Sequence, residues 1–355
     1  MGAPFFASGE GWGTDTTTDR TSRPLSTANV CQNRKNNQAG ALCAGYDSDE
    51  DDGSTMKPST AQTYKERILK ALVHIQGHLD EALHLEELAG VACFSPYHFH
   101  RVFGGMVGES VKEHVRRLRL ERAAHRLKFT DQPVTRIAFD AGYETHEAFT
   151  RAFRAMFDAS PSEFRKLHRA LPLPDSPSGV HFEPEGSVTE FTPREQGETQ
   201  MKVHIETVES MRVAFMRHVG PYDEVGETWQ KFMAWAGGRG LLVPTMKSLA
   251  LVHDDPEVTP PDKVRYDACL VVAENVQPEG EIGCQEVLGG DYAVMTHRGP
   301  YTGLGETYRR LCGQWLPTSG REPRSAPAME FYCNNPMNTP PDELITNICL
   351  PLEDR

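Results

Sequence analysis

The sequence lacks the features that mark membrane, secreted and metal-binding proteins. No apolar run approaches the roughly 18 residues that span a bilayer, and the first residues hold no basic stretch followed by an apolar core. We therefore expect neither a membrane helix nor a signal peptide. None of the 8 cysteines forms a C-x-x-C pair, which argues against a zinc site or a disulfide framework. Scattered thiols favour a reducing cytoplasm, and nothing in the sequence calls for a cofactor.

The charge is distributed unevenly along the 355 residues. The chain carries 37 basic and 50 acidic side chains, a net charge of −13. Residues 56–170 hold 18 basic and 14 acidic residues and 9 of the 14 histidines, whereas residues 200–355 hold 14 basic and 22 acidic ones. A positive segment followed by an acidic one fits a polyanion-binding module joined to a second module, although ordinary charge fluctuation also explains a net of +4.

Composition divides the chain into four segments. Residues 1–55, which include an acidic run at 47–52, predict a disordered tail. Residues 171–199 contain 5 prolines among many polar residues, which is typical of an extended linker. Two folded domains are therefore expected, at 60–170 and at 200–355.

The first of these domains is expected to be all-α and contains an internal repeat. Its first helix is marked by an apolar stripe at helical spacing: Ile68, Leu69, Leu72, Ile75 and Leu79. Five residues have counterparts 50 positions later: Ser95, Phe99, Arg101, Phe103 and Ser110 match Thr145, Phe149, Arg151, Phe153 and Ser160. A short helix, a turn and a second helix thus occur twice.

The second helix of each copy combines an apolar face with a polar face. Ser95 and Thr145 are good N-caps for these helices, and the phenylalanine pairs are expected to face the core. The polar positions of the first turns are expected to point outward: Tyr97, His98, His100, Arg101, His146, Glu147, Thr150 and Arg151. Such a pair of helices is the helix-turn-helix arrangement, whose second helix reads base edges in the major groove. A helical bundle with solvated faces is the alternative, which the matched duplication disfavours.

The second copy resembles the signature of the AraC/XylS family of bacterial transcription regulators. The matching residues are Ile137-Ala138, Ala141-Gly142-Tyr143-Glu144-Thr145, Phe149-x-Arg151-x-Phe153-Arg154, Ser160-Pro161 and Phe164-Arg165. The resemblance implies two helix-turn-helix units joined by a long helix at about 111–127. It also implies which residues contact DNA: Tyr97, His98, Arg101, His146, Glu147, Thr150 and Arg151.

Three residues depart from that family pattern. Gly104 stands where the family usually has a basic residue, His114 where it has an aromatic one, and Asp158 where it has glycine. The difference at Gly104 implies a weaker phosphate contact by the first unit. None of the three changes the expected fold.

Residues 200–355 contain a different duplication. The motif His218-x-Gly220-Pro221-Tyr222 recurs as His297-x-Gly299-Pro300-Tyr301, offset by 79 positions. Each copy predicts a strand, a helix that starts near Gly-Pro-Tyr, and two further strands. The predicted strands are 201–207, 213–219, 247–252, 265–272, 293–298, 328–333 and 344–350. We therefore expect an α+β domain of roughly eight strands with pseudo-twofold symmetry.

One carboxylate distinguishes the two copies of this domain. At an offset of 80, Ala250 corresponds to Glu330, which lies in the otherwise apolar run 328–332. Strand alternation places Glu330 and Tyr332 on one face. Either that face is solvated, or it buries a carboxylate that attracts a cation, since an unpaired buried carboxylate is costly and aromatic rings bind cations. The aromatic stripes of the two helices are either core or the wall of a ligand pocket.

This domain resembles the GyrI-like effector-binding domain of multidrug-sensing regulators. The resemblance covers roughly 155 residues and rests on the Gly-Pro-Tyr motif, the duplication and the glutamate in the second copy. It implies binding of a lipophilic, often cationic or aromatic molecule. The implied effector-binding residues are Glu330, Tyr332, Tyr222, Trp229, Tyr301 and Tyr308.

Together the two resemblances imply a multidomain transcription factor: an all-α double helix-turn-helix domain followed by an α+β GyrI-like domain. Its expected partners are promoter DNA, a small-molecule effector and RNA polymerase, with no membrane. Two alternatives remain open. One is a GyrI-like hydrolase of reactive cyclopropane-containing compounds with Glu330 as general base. The other is an interaction protein whose acidic domain imitates nucleic acid.

Overall fold

The computed structural model describes residues 59–167, 173–186, 188–194, 201–243, 246–256 and 259–354. The predicted tail at 1–55 lies outside these residues. Contacts group Pro58–Arg355 into one compact unit. Within the described residues, no helix is long and apolar enough to cross a membrane, and the six cysteines are all free thiols.

Seven helices occupy the described residues before position 168. They are α1 (Thr60–Gly77), α2 (Leu85–Val91), α3 (Pro96–Val107), α4 (Val111–Phe129), α5 (Val134–Asp140), α6 (His146–Phe157) and α7 (Pro161–Lys166). The predicted stripe of α1 is buried, with Ile68, Leu72 and Ile75 fully covered. The repeat is also confirmed, because α2–α3 and α5–α6 are two helix-turn-helix units joined by the long helix α4.

The ends of the helices show why the repeat folds alike in both copies. Ser110 begins α4 with a capping box that includes Glu113, and Ser160 begins α7 with the same device and Glu163. Each box satisfies backbone N–H groups that a helix start leaves unpaired. Helix α3 ends at Gly108 and α6 at Asp158, both left-handed, with φ of 86° and 53°. Asp158 tolerates this conformation better than most residues.

The helical region has two separate cores. The second unit packs around its own aromatic cluster: Phe149, Phe153, Phe157 and Phe164. The core of the first unit instead continues into the C-terminal region, where Leu304, Tyr308 and Leu311 pack in the same cluster as Phe99 and Phe103. The first unit and the C-terminal domain therefore share one core.

The C-terminal region is a single 8-stranded sheet with helices on one face. Its strands are β1 (Val203–Val208), β2 (Met211–Val219), β3 (Ser248–Val252), β4 (Arg265–Val271), β5 (Ile282–Val287), β6 (Gly290–Arg298), β7 (Ala328–Tyr332) and β8 (Ile345–Pro351). The order is β1-β6-β8-β7-β3-β4-β2-β5, and all neighbours are antiparallel. Two helices follow the Gly-Pro-Tyr motifs, α8 (Val225–Gly238) and α9 (Leu304–Arg310). Helix α9 continues through a π-helical turn, Leu311–Trp315, into α10 (Leu316–Thr318).

The sheet confirms the predicted duplication and adds one strand. Strands β3 and β7 meet at its centre, and Ala250 lies directly opposite Glu330 in their register. Strand β5 is the one strand that was not predicted from the sequence. Its signal was present, because β5 starts 79 positions after β1, the offset of the Gly-Pro-Tyr motifs. Strands β1 and β5 thus form equivalent edges of the duplicated sheet.

The predicted linker at 171–199 is anchored at a few points where it is described. Its described residues, 173–186 and 188–194, form no helix or strand, but Val180 and Phe191 are each only 4% exposed. The Arg117 guanidinium donates to the Val180 carbonyl at 2.8 Å, and the Arg194 N–H donates to the Met106 carbonyl at 2.7 Å. Backbone groups of the segment thus find partners on α3 and α4, which anchor the connection to the helical region at these points.

Candidate functional site

Helix α6 presents one polar face to solvent. Thr145 caps the helix by accepting a hydrogen bond from the Ala148 N–H at 3.1 Å. Glu147 and Arg151 are exposed, while His146 and Thr150 are half-buried. The opposite face carries Phe149 and Phe153, which are fully buried. An exposed polar stripe at the N-terminal end of the second helix is the geometry with which a helix-turn-helix enters the major groove.

Helix α3, the counterpart of α6, is buried on both faces. Arg101 is 5% and His100 6% exposed, His98 is fully covered, and Tyr97 is half-buried. The expectation that these side chains point outward is wrong for His98, His100 and Arg101. One face of α3 packs on its own helix-turn-helix core and the other on the C-terminal domain. The DNA contacts assigned to Tyr97, His98 and Arg101 stay predictions, because these groups are covered in this conformation.

Three polar side chains of α3 find specific partners in the C-terminal domain. His98 Nε2 lies 2.8 Å from the Arg324 carbonyl oxygen, to which it donates. His100 Nε2 lies 2.7 Å from an Asp255 carboxylate oxygen. The Arg101 guanidinium carbon lies 3.9 Å from the centre of the Tyr308 ring, a cation–π contact. Burial lowers the pKa of His98 to about 3, so this imidazole is neutral.

The contact between α3 and the helix that begins with α9 depends on glycine. A Cβ atom on Gly105 would lie 2.3 Å from the Arg309 carbonyl oxygen and 2.5 Å from Gly313 Cα. No real side chain fits at such distances, so the two backbones touch there. Gly104, for which a weaker phosphate contact was expected, lies against Arg309 of the same helix.

The second candidate site is built around Glu330, at the centre of the sheet. Glu330 is 1% exposed, so the solvated alternative for this face is wrong. Tyr308 donates a hydrogen bond to one carboxylate oxygen at 3.1 Å, and Tyr332 donates to the other at 3.0 Å. Burial raises the pKa of Glu330, while the two tyrosine hydrogen bonds and the positive charge of Arg101 act in the opposite direction.

A chain of hydrogen bonds extends from this carboxylate. The hydroxyls of Tyr332 and Tyr266 lie 2.6 Å apart, and Trp229 Nε1 donates to the Tyr266 hydroxyl at 3.0 Å. Because Tyr332 donates its proton to Glu330, the Tyr266 hydroxyl donates to Tyr332. The chain fixes the orientation of three aromatic side chains around one acid.

Further rings complete the surroundings of Glu330. The Tyr301 and Trp229 rings each contact the Tyr332 ring edge-on at 5.7 Å between centres, and Tyr222 contacts Tyr266 at 5.6 Å. The structure thus brings together all six residues assigned to the effector site: Glu330, Tyr332, Tyr222, Trp229, Tyr301 and Tyr308. Sequence reasoning missed Tyr266, whose position in the second copy is taken by Thr346. Among the described residues, no group of acidic, histidine and cysteine side chains could hold a metal ion.

The two regions that contain these sites match known domain families. Residues 88–167 match a helix-turn-helix domain, and residues 201–353 match the GyrI-like small molecule binding domain. Transcriptional regulator Rob of Salmonella typhimurium is 24% identical over 267 residues, which cover 74% of this chain and 88% of Rob. The similarity to Rob therefore spans both domains.

Two further relatives match the helix-turn-helix region. Regulatory protein SoxS of Salmonella typhimurium is 33% identical over 101 residues, 28% of this chain and 94% of SoxS. YbfP of Bacillus subtilis, an HTH-type transcriptional regulator, is 38% identical over 102 residues, 29% of this chain. The match spans only 35% of the length of YbfP. The chain belongs to the AraC family of transcriptional regulators and combines the DNA-binding domain of that family with a C-terminal GyrI-like domain.

Proposed function

We propose that the protein is a one-component regulator that binds promoter DNA through its helix-turn-helix units and responds to a lipophilic, cationic or aromatic molecule at Glu330. The observation that carries the effector assignment is a buried carboxylate held by two tyrosines inside a shell of aromatic rings. Such a site offers an organic cation a counter-charge and ring faces together. In the promoter complex the regulator contacts RNA polymerase, as the family resemblance implies.

The DNA-binding part of the proposal rests on α6. Its exposed side chains include a guanidinium, which can bond guanine bidentately, and a carboxylate, which can accept from cytosine. These groups, Arg151 and Glu147, are both exposed near the start of the helix. We assign base contacts to His146, Glu147, Thr150 and Arg151.

Replacing Arg151 by alanine should weaken binding to the preferred duplex by about 1–3 kcal/mol and relax its sequence preference, because a bidentate base contact is lost. The measurement is fluorescence anisotropy at fixed salt, on a duplex selected from a random pool and on an unrelated duplex. Arg116→Ala, at an exposed position of α4, is the control. An equal loss on both duplexes would show that Arg151 contacts phosphate alone.

The effector part of the proposal rests on the charge of Glu330. Glu330→Gln keeps the shape of the side chain and removes the negative charge that attracts a cation. We expect tetraphenylphosphonium to raise the melting temperature of the wild-type chain and not that of Glu330→Gln, which should still bind DNA.

A matched control is available on strand β5. Glu286 is an exposed strand glutamate, and Glu286→Gln should respond to the probe as the wild type does. Equal stabilisation of wild type and Glu330→Gln would contradict the assignment of the effector site.

A hydrolase is the second candidate, and the raised pKa of Glu330 favours it. A buried carboxylate with a raised pKa is a better general base near neutral pH. Turnover of a cyclopropane-containing electrophile by the wild type, lost in Glu330→Gln, would support an enzyme. Binding without turnover supports a sensor.

A further inference from the structure

The recognition helix of the first unit is docked on the domain assigned to the effector. His98 and Arg101, two of its three predicted base-contacting residues, are at most 5% exposed. Their polar atoms and rings are engaged by Arg324 and Tyr308 of the C-terminal domain. A side chain cannot occupy this contact and the major groove at once. Docking of α3 and DNA binding by α3 therefore exclude each other.

Arg101 makes its contact at the effector site itself. Its guanidinium lies 3.9 Å from the centre of the Tyr308 ring, and the hydroxyl of the same tyrosine donates to Glu330. Thus the Arg101 cation lies over the ring of a tyrosine that is hydrogen-bonded to the buried carboxylate of Glu330. This is the combination of charge and aromatic surface that an organic cation would use.

The space around this contact is already filled. The cavity lined by His100, Arg101, Gly104, Asp255 and Tyr308 measures about 20 Å³, which is room for about one water molecule. Pockets that bind drug-sized molecules measure about 300–1,000 Å³. A bulky cation that reaches this face of Tyr308 must first displace Arg101.

We propose that Arg101 is an internal ligand of the effector site: its guanidinium takes the place of the cationic effector over Tyr308, holds α3 against the GyrI-like domain, and leaves when the effector binds, so that α3 becomes free to contact DNA. This inference rests on the proposed function. Beyond that function, it identifies Arg101 as the residue with which the effector competes for Tyr308.

The proposal gives the two DNA-contacting helices different roles. Helix α6 is exposed while α3 is docked, so the docked protein has one recognition helix available. Release of α3 provides the second. Because the effector and DNA both require the undocked state, each must increase affinity for the other by the same factor.

The test measures tetraphenylphosphonium binding by calorimetry to the full chain and its variants. Arg101→Ala should bind the probe more tightly than the wild type, on the order of 5- to 150-fold if the internal competitor contributes a typical coupling free energy. Arg101→Met, which keeps an unbranched side chain without the charge, should show the same direction. Arg116→Ala, at an exposed position of α4, should leave probe affinity unchanged.

A second measurement uses the wild type alone and does not depend on the folding of a variant. Saturating probe should increase hydrogen exchange of the backbone amides in residues 96–107, and not in residues 146–157. Unchanged exchange in α3 of the probe-bound protein would overturn the proposal, as would equal probe affinity of wild type and both Arg101 variants. Absence of probe binding to all of these proteins would instead overturn the proposed function.

Discussion

Gly105→Ala should loosen the contact between α3 and the α9 helix by about 1–3 kcal/mol, the usual cost of overpacking a well-packed interior. The added Cβ would lie 2.3 Å from the Arg309 carbonyl oxygen and 2.5 Å from Gly313 Cα. Both are backbone atoms, so relief requires that a whole helix move. The intrinsic preference of helices for alanine, worth about 0.5–1 kcal/mol, acts in the opposite direction.

The neighbouring glycine provides a matched control. A Cβ on Gly104 would have its nearest neighbour, Arg309 Cδ, at 3.8 Å, which is an ordinary contact. Gly104→Ala should therefore keep or slightly increase thermal stability, whereas Gly105→Ala should lower it and increase exchange of the α3 amides. Equal stabilisation by both substitutions would show that the backbones of α3 and α9 are not in contact in solution.

The second large effect on stability is expected at Arg117 of α4, which lies between two carboxylates that are mostly buried. Its guanidinium donates to the carboxylates of Glu109 and Glu121 and to the Val180 carbonyl. The side chains of Arg117 and Glu121 are 6% and 4% exposed. Removal of the cation leaves two carboxylates with little solvent, so Arg117→Met should cost about 3–5 kcal/mol in free energy of unfolding.

The pH dependence provides an independent check of this prediction. Burial raises the pKa of Glu109, but hydrogen bonds from His114 and Arg117 outweigh it and hold the pKa at about 2. A carboxyl with a pKa lowered by folding stabilises the protein above its unfolded pKa of 4.5, and this stabilisation is lost as the pH falls towards 2. Arg117→Met should weaken that dependence as well as lower stability at neutral pH.

The adjacent arginine is the control for this measurement. Arg116 is exposed on the same helix, and Arg116→Met should change stability by no more than about 0.5 kcal/mol. Both variants are measured by urea unfolding of the full chain from neutral pH down to about pH 2, because the stabilisation by Glu109 is lost between its unfolded pKa of 4.5 and its folded pKa of about 2. If Arg117→Met lowers the free energy of unfolding by less than about 1 kcal/mol, solvent reaches Glu109 and Glu121 and the prediction is wrong.

Features encoded by repetition were predictable from the sequence. The offset of 50 located α3 and α6, and the offset of 79 located β2 and β6 with the helices after them. Comparison of the two copies also singled out Glu330, because Ala250 occupies its symmetric position. A short apolar run can be read as a helix or as a strand when it stands alone. When the same pattern recurs at a fixed offset, the two copies together indicate which element it forms.

The burial of α3 was not predictable in the same way. The repeat predicts an exposed polar face for both α3 and α6. The residues that cover α3 lie some 200 positions further along the chain, so no local pattern identifies them. Local signals were nevertheless present. Helix α3 has adjacent glycines at 104 and 105 and one charged residue, whereas α6 has Glu147, Arg151 and Arg154. Glycine inside a helix is unfavourable and signals close approach of another backbone.

The register at the centre of the sheet places one acid, and not two, where the two copies of the duplication meet. Ala250 and Glu330 face each other across the β3–β7 pair, so a second glutamate at position 250 would place two carboxylates directly opposite, where like charges repel. A duplicated scaffold thus holds a single acid on its pseudo-twofold axis. Under the proposed function we therefore expect each chain to bind one cation, with a titration that follows a simple saturation curve.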